Sequence, residues 1–318
     1  MRYQVSLSFA LLLFWSSPYV AHSANLRYFS FPTEYPVGAL QLMGNEKEGI
    51  HRFGRAIGIA QGSFSVEVPP GSTVLLELNP RCLEHPERLK NIKTAGINRL
   101  KIAYLSMDDN DHSLCDKALQ TLPEFKDLIS LNVERSDTTD KGLAGFKSLP
   151  SVKFLSAFGA AVEGPILKET PRLRVLERLN LQFNPLKSEN FKYLSALPHL
   201  TELVISQSNL LDDDLKNLPK CSQLKRLDIG DNHKLTDKSL PAVKQQTALE
   251  NLNVRGTGIS FAGLLTLKDL KLTTLILSIK RYRPDELADL KKAFPKAVLD
   301  YRGNGIATDN QTLFSPLK

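Results

Sequence analysis

Apolar residues recur along this chain with a long period. Leu131, Leu155, Leu179, Leu203 and Leu227 stand 24 residues apart, and the series continues at Leu252 and Leu275. Each has an apolar residue three positions before it and another two after, as in Leu128-x-x-Leu131-x-Val133 and Leu224-x-x-Leu227-x-Ile229. Ile97-x-x-Leu100-x-Ile102 extends the frame upstream. Self-similarity at this period marks a stacked repeat array. Behind the ladder leucines, apolar residues recur at +12, +15 and +18: Leu143, Phe146, Leu149; Phe191, Leu194, Leu197; Leu264, Leu267, Leu270. That spacing is one face of a helix. Polar starters precede it at Thr139, Thr236 and Ser260, and prolines close it at Pro123, Pro150, Pro198 and Pro219. The pattern predicts an α/β solenoid of about eight repeats over 97–302, with parallel strands on the concave side and helices on the convex side.

Two spacings run longer than the frame. Leu227 to Leu252 is 25 residues, and Leu100 to Leu131 is 31. The longer gap holds Asp108, Asp109, Asn110 and Asp111, which lack the spacing and glycine of an EF-hand loop and read as a solvated rim loop. Past Leu275 the pattern predicts a last helix over Pro284 to Ala293 and a closing strand ending at Tyr301, then a polar tail over 303–318. Residues 24–96 show no repeat. Short alternating runs predict strands at Leu26–Phe31, Ala39–Met43, Ala56–Ala60, Ser63–Val68 and Thr73–Leu78, with Pro69-Pro70-Gly71 as a hairpin turn between the last two. Stacked arrays need closed ends, so 24–96 is expected to form an N-terminal β-rich cap domain.

Residues 1–23 read as a signal peptide. Arg2 precedes an apolar run from Val5 to Trp15, and Ala21-His22-Ser23 fits small-x-small cleavage after Ser23. The run is short for a span of ~20 residues, so the expectation is a secreted or periplasmic protein with no membrane attachment after cleavage. Export raises the question of disulfides. Cys221 falls on a helix core position, whereas Cys82 and Cys115 flank the start of the array and are candidates to pair. Aligning Leu114-Cys115-Asp116 with Leu235-Thr236-Asp237 puts Cys115 at a helix cap. Composition, at 42% hydrophobic and 24% charged, is that of a folded chain, and the net charge is +7. Basic residues alternate with carboxylates along the sequence, which argues against nucleic acid as the partner.

The frame resembles the leucine-rich repeat superfamily, of the ribonuclease-inhibitor-like and cysteine-containing types, over about Ile97 to Tyr301. Thr138-Thr-Asp-Lys-Gly-Leu143 and Leu235-Thr-Asp-Lys-Ser-Leu240 resemble the family's repeated Thr-Asp-x-Gly-Leu phrase. The position five after the ladder leucine, usually Asn, Thr or Cys in the family, is Ser136, Asn184, Ser208, Asn232 and Thr257; Ala160 and Lys280 break the rule. A side chain there is expected to bond the backbone of the turn. With the signal, these features are similar to secreted bacterial leucine-rich repeat proteins, and the resemblance implies protein or glycan binding.

In such a strand the ladder leucine points inward, so its neighbours face the concave surface. The expected binding residues are Asn132, Glu134, Phe154, Phe158, Arg178, Asn180, Gln182, Phe183, Arg226, Asp228, Asn253 and Arg255. The three phenylalanines are either partner anchors or rings covered by neighbouring turns. No cofactor, metal site or catalytic residue is expected: the six histidines form no His-Glu-x-x-His, and neither a Gly-x-Ser-x-Gly elbow nor a phosphate loop occurs. Cys115 near His112 is better explained structurally than as a nucleophile. Two functions fit: an exported module that captures a protein or glycan, or an envelope component that self-associates or packs on wall material.

Overall fold

The computed structural model describes residues 25–44, 54–104 and 114–301. The expected signal peptide, the Asp108–Asp111 insert and the polar tail lie outside the described residues. Five strands open the chain: β1 (Asn25–Ser30), β2 (Gly38–Met43), β3 (Arg55–Ile59), β4 (Ser63–Val68) and β5 (Thr73–Leu78). Nine three-residue strands follow: β6 (Arg99–Lys101), β7 (Ser130–Asn132), β8 (Phe154–Ser156), β9 (Arg178–Asn180), β10 (Glu202–Val204), β11 (Arg226–Asp228), β12 (Asn251–Asn253), β13 (Thr274–Ile276) and β14 (Val298–Asp300).

From β5 to β14 these strands form one parallel ladder, and β2 then β3 extend the same sheet antiparallel. The ladder leucines pair directly from strand to strand, and the ladder is longer than the sequence frame suggests. Leu76 of β5 pairs with Leu100, and Leu275 pairs with Leu299 of β14. The array therefore starts its parallel stacking at Leu76, within the segment expected to be a cap. Every ladder leucine from Leu76 to Leu299 except the last is buried, as are Leu143, Phe146, Leu149, Phe191, Leu194, Leu215, Leu218 and Cys221 behind them.

The Pro69-Pro70-Gly71 turn is not a hairpin. Its φ of +79° at Gly71 and the bond from Ser72 N to Pro69 O (3.0 Å) are those of a tight turn. However, β4 pairs with β1 in a separate two-stranded sheet, while β5 pairs with β2 and β6. The reason is the buried face. Val74, Leu76 and Leu78 match the apolar row of the ladder, whereas β4 contributes Phe64 to a cluster with Phe29 and Phe31, ring centroids 5.9 and 6.4 Å apart. Arg27 ties this small sheet to the first rung, donating to Gly96 O (2.9 Å) and Asn98 Oδ1 (2.7 Å).

The return segments are only partly α-helical. Leu114–Thr121, Asp140–Gly145, Leu240–Lys244, Phe261–Leu265 and Pro284–Ala293 are α, but Pro165–Lys168, Thr170–Arg172 and Ser188–Ala196 are 3-10. The tighter helix rises ~2.0 Å per residue against ~1.5 Å, so it spans the return arc with fewer residues.

The Thr-Asp-x-Gly-Leu phrase is a clasp between rungs. Thr139, Thr236 and Ser260 cap their own helices by accepting from Lys141 N, Lys238 N and Gly263 N. The carboxylate after each Thr reaches the next cap: Asp237 accepts from Ser260 N (2.7 Å) and Ser260 Oγ (2.5 Å). Asp212 and Asp116 grip Thr236 and Thr139 in the same way. The glycine of the phrase leaves room for that incoming carboxylate: a Cβ on Gly263 or Gly142 would collide with Oδ1 of Asp237 or Asp116. Gly263→Ala is therefore expected to cost on the order of 1–3 kcal/mol in urea unfolding; an unchanged midpoint would show that the clasp yields freely.

Cys82 and Cys115 do not pair. All three cysteines are free and buried. Cys82 Sγ donates to Pro36 O (3.3 Å) and Cys115 Sγ to Tyr104 O (3.6 Å), so each thiol fills a separate core site. Cys115 is the second residue of Leu114–Thr121, and Asp116 after it holds Thr139 as Asp237 after Thr236 holds Ser260. Burial pushes the Cys115 and Cys221 thiols up to about 11, which leaves no thiolate for nucleophilic chemistry near neutral pH.

Candidate binding face

Ten parallel strands at nearly 5 Å spacing make a concave stripe ~43 Å long. Its polar residues are occupied with each other. Asn132 Oδ1 accepts from Glu134 N (2.9 Å), Ser156 Oγ donates to Glu134 Oε1 (2.5 Å), and Asn180 Nδ2 donates to Ser156 Oγ (3.1 Å). Asn180 Oδ1 holds Gln182 N (2.9 Å), and Gln182 Nε2 donates to Gln207 Oε1 (2.7 Å). Farther along, Asn253 Nδ2 donates to Asp228 Oδ2 (3.0 Å), and Asn253 Oδ1 accepts from Arg255 N (3.0 Å). Arg255 in turn donates to Asp231 Oδ2 (2.8 Å). Side chains on neighbouring strands stand close enough to satisfy one another, so much of this surface forms an internal ladder.

Phe154 and Phe158 are not open anchors: each is 8% exposed. Side chains from adjacent rungs converge over them. The Arg178 guanidinium lies 5.0 Å from the Phe154 ring centre, and Arg135 lies 5.6 Å from that of Phe158. Phe183 packs on Phe158 with ring centroids 6.2 Å apart, yet is itself 62% exposed. Of the three phenylalanines, Phe183 alone presents its ring to solvent.

Its position has a structural cause that sequence alternation misses. Four residues after the ladder leucine, the chain turns through the left-handed region in six consecutive rungs: Arg135 (φ 51°), Gly159 (58°), Phe183 (56°), Gln207 (55°), Asp231 (54°) and Gly256 (67°). Each amide there bonds the next rung, as Phe183 N does to Ser206 O (3.0 Å) and Gln207 N to Gly230 O (3.0 Å). The turn throws the +4 side chain outward along the rim where the strands end. Left-handed φ costs a non-glycine residue roughly 1 kcal/mol or more, and a bulky aromatic there is a conspicuous exception. Gly159 and Gly256 at +4 were the signal in the sequence.

Between β9 and β11 sits an ionic row. Glu202, 3% exposed, lies 3.8 Å from Arg178 Nε and 3.6 Å from Arg226 Nε on the in-register neighbours. Burial pushes the Glu202 carboxyl up to about 7 against the pull of Arg226 and Arg178. Burial likewise raises Asp228, against bonds from Asn253 and Gly230. Among the described residues no cluster of His, Cys, Asp and Glu suits a metal ion, and no helix is long and apolar enough to cross a membrane.

In-register leucines on ten parallel strands, returned by short helices every 24 residues or so, define the architecture. This is a leucine-rich repeat solenoid. No protein-family profile matches the chain. An internalin from Listeria monocytogenes is similar to it, at 21% identity over 69% of this chain and 57% of that one, with a TM-score of 0.45. The leucine-rich repeat-containing protein LegL7 from Legionella pneumophila is similar at 18% identity over 73% of this chain and 83% of that one, with a TM-score of 0.43. A Trypanosoma equiperdum protein named for adenylate cyclase regulation is 35% identical over 85 residues, which is 27% of this chain and 13% of that protein. The solenoid thus spans a small part of that relative's length.

Proposed function

We propose that this solenoid is an exported, non-catalytic binding protein whose concave rim, centred on Phe183, captures a protein or glycan. One observation carries the reading: an aromatic ring held 62% exposed at left-handed φ, beside two phenylalanines that the same face covers. Exposed aromatics on a rigid scaffold are typical binding anchors. Arg135, exposed and packed on the same Phe158 ring as Phe183, and Gln207, half-buried and bonded to Gln182, supply polar contacts to a partner already held by the ring. The residues expected on the strands themselves, from Asn132 to Asn253, support the rim more than they touch the partner. In this reading residues 24–96 close the start of the array, and the apolar run Val5–Trp15 directs export.

The test compares capture by the wild type, Phe183→Ala and Phe158→Ala from the exported fraction of the native host. Phe183→Ala is expected to lose about tenfold or more in partner affinity with its melting temperature nearly unchanged. Phe158→Ala is expected to destabilise by roughly 3 kcal/mol, because its ring is buried. Equal capture by wild type and Phe183→Ala, or a protein that enriches only copies of itself, would contradict the proposal.

A further inference from the structure

Opposite the rim, the edge from which the strands set out has its own chemistry. In each rung from Phe125 to Phe294 the return segment ends on a buried residue, and the half-buried Thr94 holds the same place in the rung before them. Seven successive rungs, from Thr94 to Gln246, make the same turn there, closed by bonds such as Leu128 N to Phe125 O (3.3 Å), Leu176 N to Leu173 O (3.0 Å) and Leu249 N to Gln246 O (3.0 Å). The residues flanking this position are therefore equivalent from rung to rung and line one edge. Within two residues of it on either side, the nine rungs carry eleven lysines and arginines against three carboxylates, Glu124, Asp127 and Asp269. Along the sequence, acids separate these cations; the fold gathers them. Folding thus weakens the sequence argument that interleaved charge excludes a polyanionic partner.

Most of this charge is uncommitted. Lys244 pairs with Asp269 (3.7 Å), Lys292 with Asp289 (2.9 Å), and Arg172 donates to the carbonyls of Ala144 and Phe146. Lys93, Lys147, Arg174, Lys220, Lys268 and Lys296 are exposed, with no carboxylate partner among the described residues. Cations do complement the carbonyl ends of helices. That effect fades within the last turn, however, and Lys126, Lys271 and Lys296 stand beyond the ends of Leu114–Thr121, Phe261–Leu265 and Pro284–Ala293.

We propose that this lysine-lined edge is a docking track for a linear anionic polysaccharide, distinct from the rim at Phe183. Charge repeated once per rung along a line matches a polymer whose own charge repeats along its chain. The track is mostly lysine, a point charge without the bidentate fork that suits phosphate. Its aromatic residues, Phe125 and Phe294, are buried, so it offers no platform for stacked bases.

The experiment measures binding of the full-length protein to polygalacturonate fragments of increasing length, at low and at physiological salt. Two quadruple variants remove equal charge. One changes Lys93, Lys147, Lys220 and Lys268 to Gln on the track; the other changes Lys117, Lys141, Lys234 and Lys238 to Gln near the opposite edge. All eight side chains are exposed. Expected are affinity that rises with fragment length, a loss of about tenfold or more in the track variant at low salt, and a much smaller loss in the other. Equal losses in the two variants, or short fragments binding as well as long ones, would overturn the track. Tighter binding to single-stranded DNA or to phosphatidylserine vesicles than to polygalacturonate would overturn the choice of a polysaccharide. Phe183→Ala is expected to leave this binding intact, so the track and the rim succeed or fail separately.

Discussion

Asn232→Ala is expected to lower stability by on the order of 3 kcal/mol, because its buried amide bonds the backbone of two rungs at once. Asn232 is fully buried. Its Nδ2 donates to Ile205 O and Ile229 O (both 3.0 Å), and its Oδ1 accepts from Ser208 N (2.9 Å) and Leu210 N (3.1 Å). These four bonds reach backbone groups on two rungs, and Nδ2 also lies 3.5 Å from Gly230 O. Alanine leaves all four without that partner inside the turn, where each unpaired group costs ~1–3 kcal/mol before relaxation or water offsets part of it. Thr257, at the same position in the next rung, makes one such bond, to Val254 O (2.7 Å), so Thr257→Ala is the natural comparison. Urea unfolding of both variants checks the argument. Asn232→Ala is expected to lose at least about twice as much as Thr257→Ala; equal losses would show that the second rung gains nothing from the amide.

Glu202→Gln is expected to flatten the pH dependence of stability between about pH 4.5 and 7. The folded carboxyl is raised to about 7 from an ordinary value of 4.5, so the folded chain holds a proton that the unfolded chain releases in that window. The proton's contribution is complete below about 4.5 and is lost as pH rises through about 7. A shift of this size corresponds to roughly 3 kcal/mol across the window. Asp228 moves in the same direction, so the wild type and the variant both retain some slope from that group. The difference between wild type and Glu202→Gln isolates Glu202. Denaturant unfolding at several pH values is expected to show the wild type losing stability toward alkaline pH more steeply than the variant. Parallel curves would mean that Arg178 and Arg226 hold the carboxylate ionised throughout.

Much of the scaffold is legible in the residue pattern because burial selects it. Leu131 and its counterparts must point inward, and Asn184 and Asn232 must satisfy a buried turn, so periodicity exposes both. Leu76 escaped the frame because Thr73 stands where an apolar residue is expected three positions earlier. The 3-10 character of Ser188–Ala196 escaped because its apolar spacing also fits an α-helix. The binding face was the least legible. Alternation places Phe154 and Phe158 on the concave side, but it does not report that Arg178, Arg135 and Phe183 converge over them. Phe183 reaches solvent because of its left-handed φ, which only the glycines at Gly159 and Gly256 foreshadow. The lysine edge stayed hidden because folding, not sequence, brings Lys93, Lys147 and Lys220 into line.

If a partner sits against the rim at Phe183, it lies within reach of a reactive group placed there. Photo-crosslinking in the native exported compartment tests this most directly, with a photoreactive phenylalanine placed in turn at Phe183 and at the exposed Leu211, outside the proposed rim site. One dominant crosslinked partner is expected from position 183 and little from position 211. Crosslinking of the same partner from position 211 but not from 183 would contradict a partner at the rim.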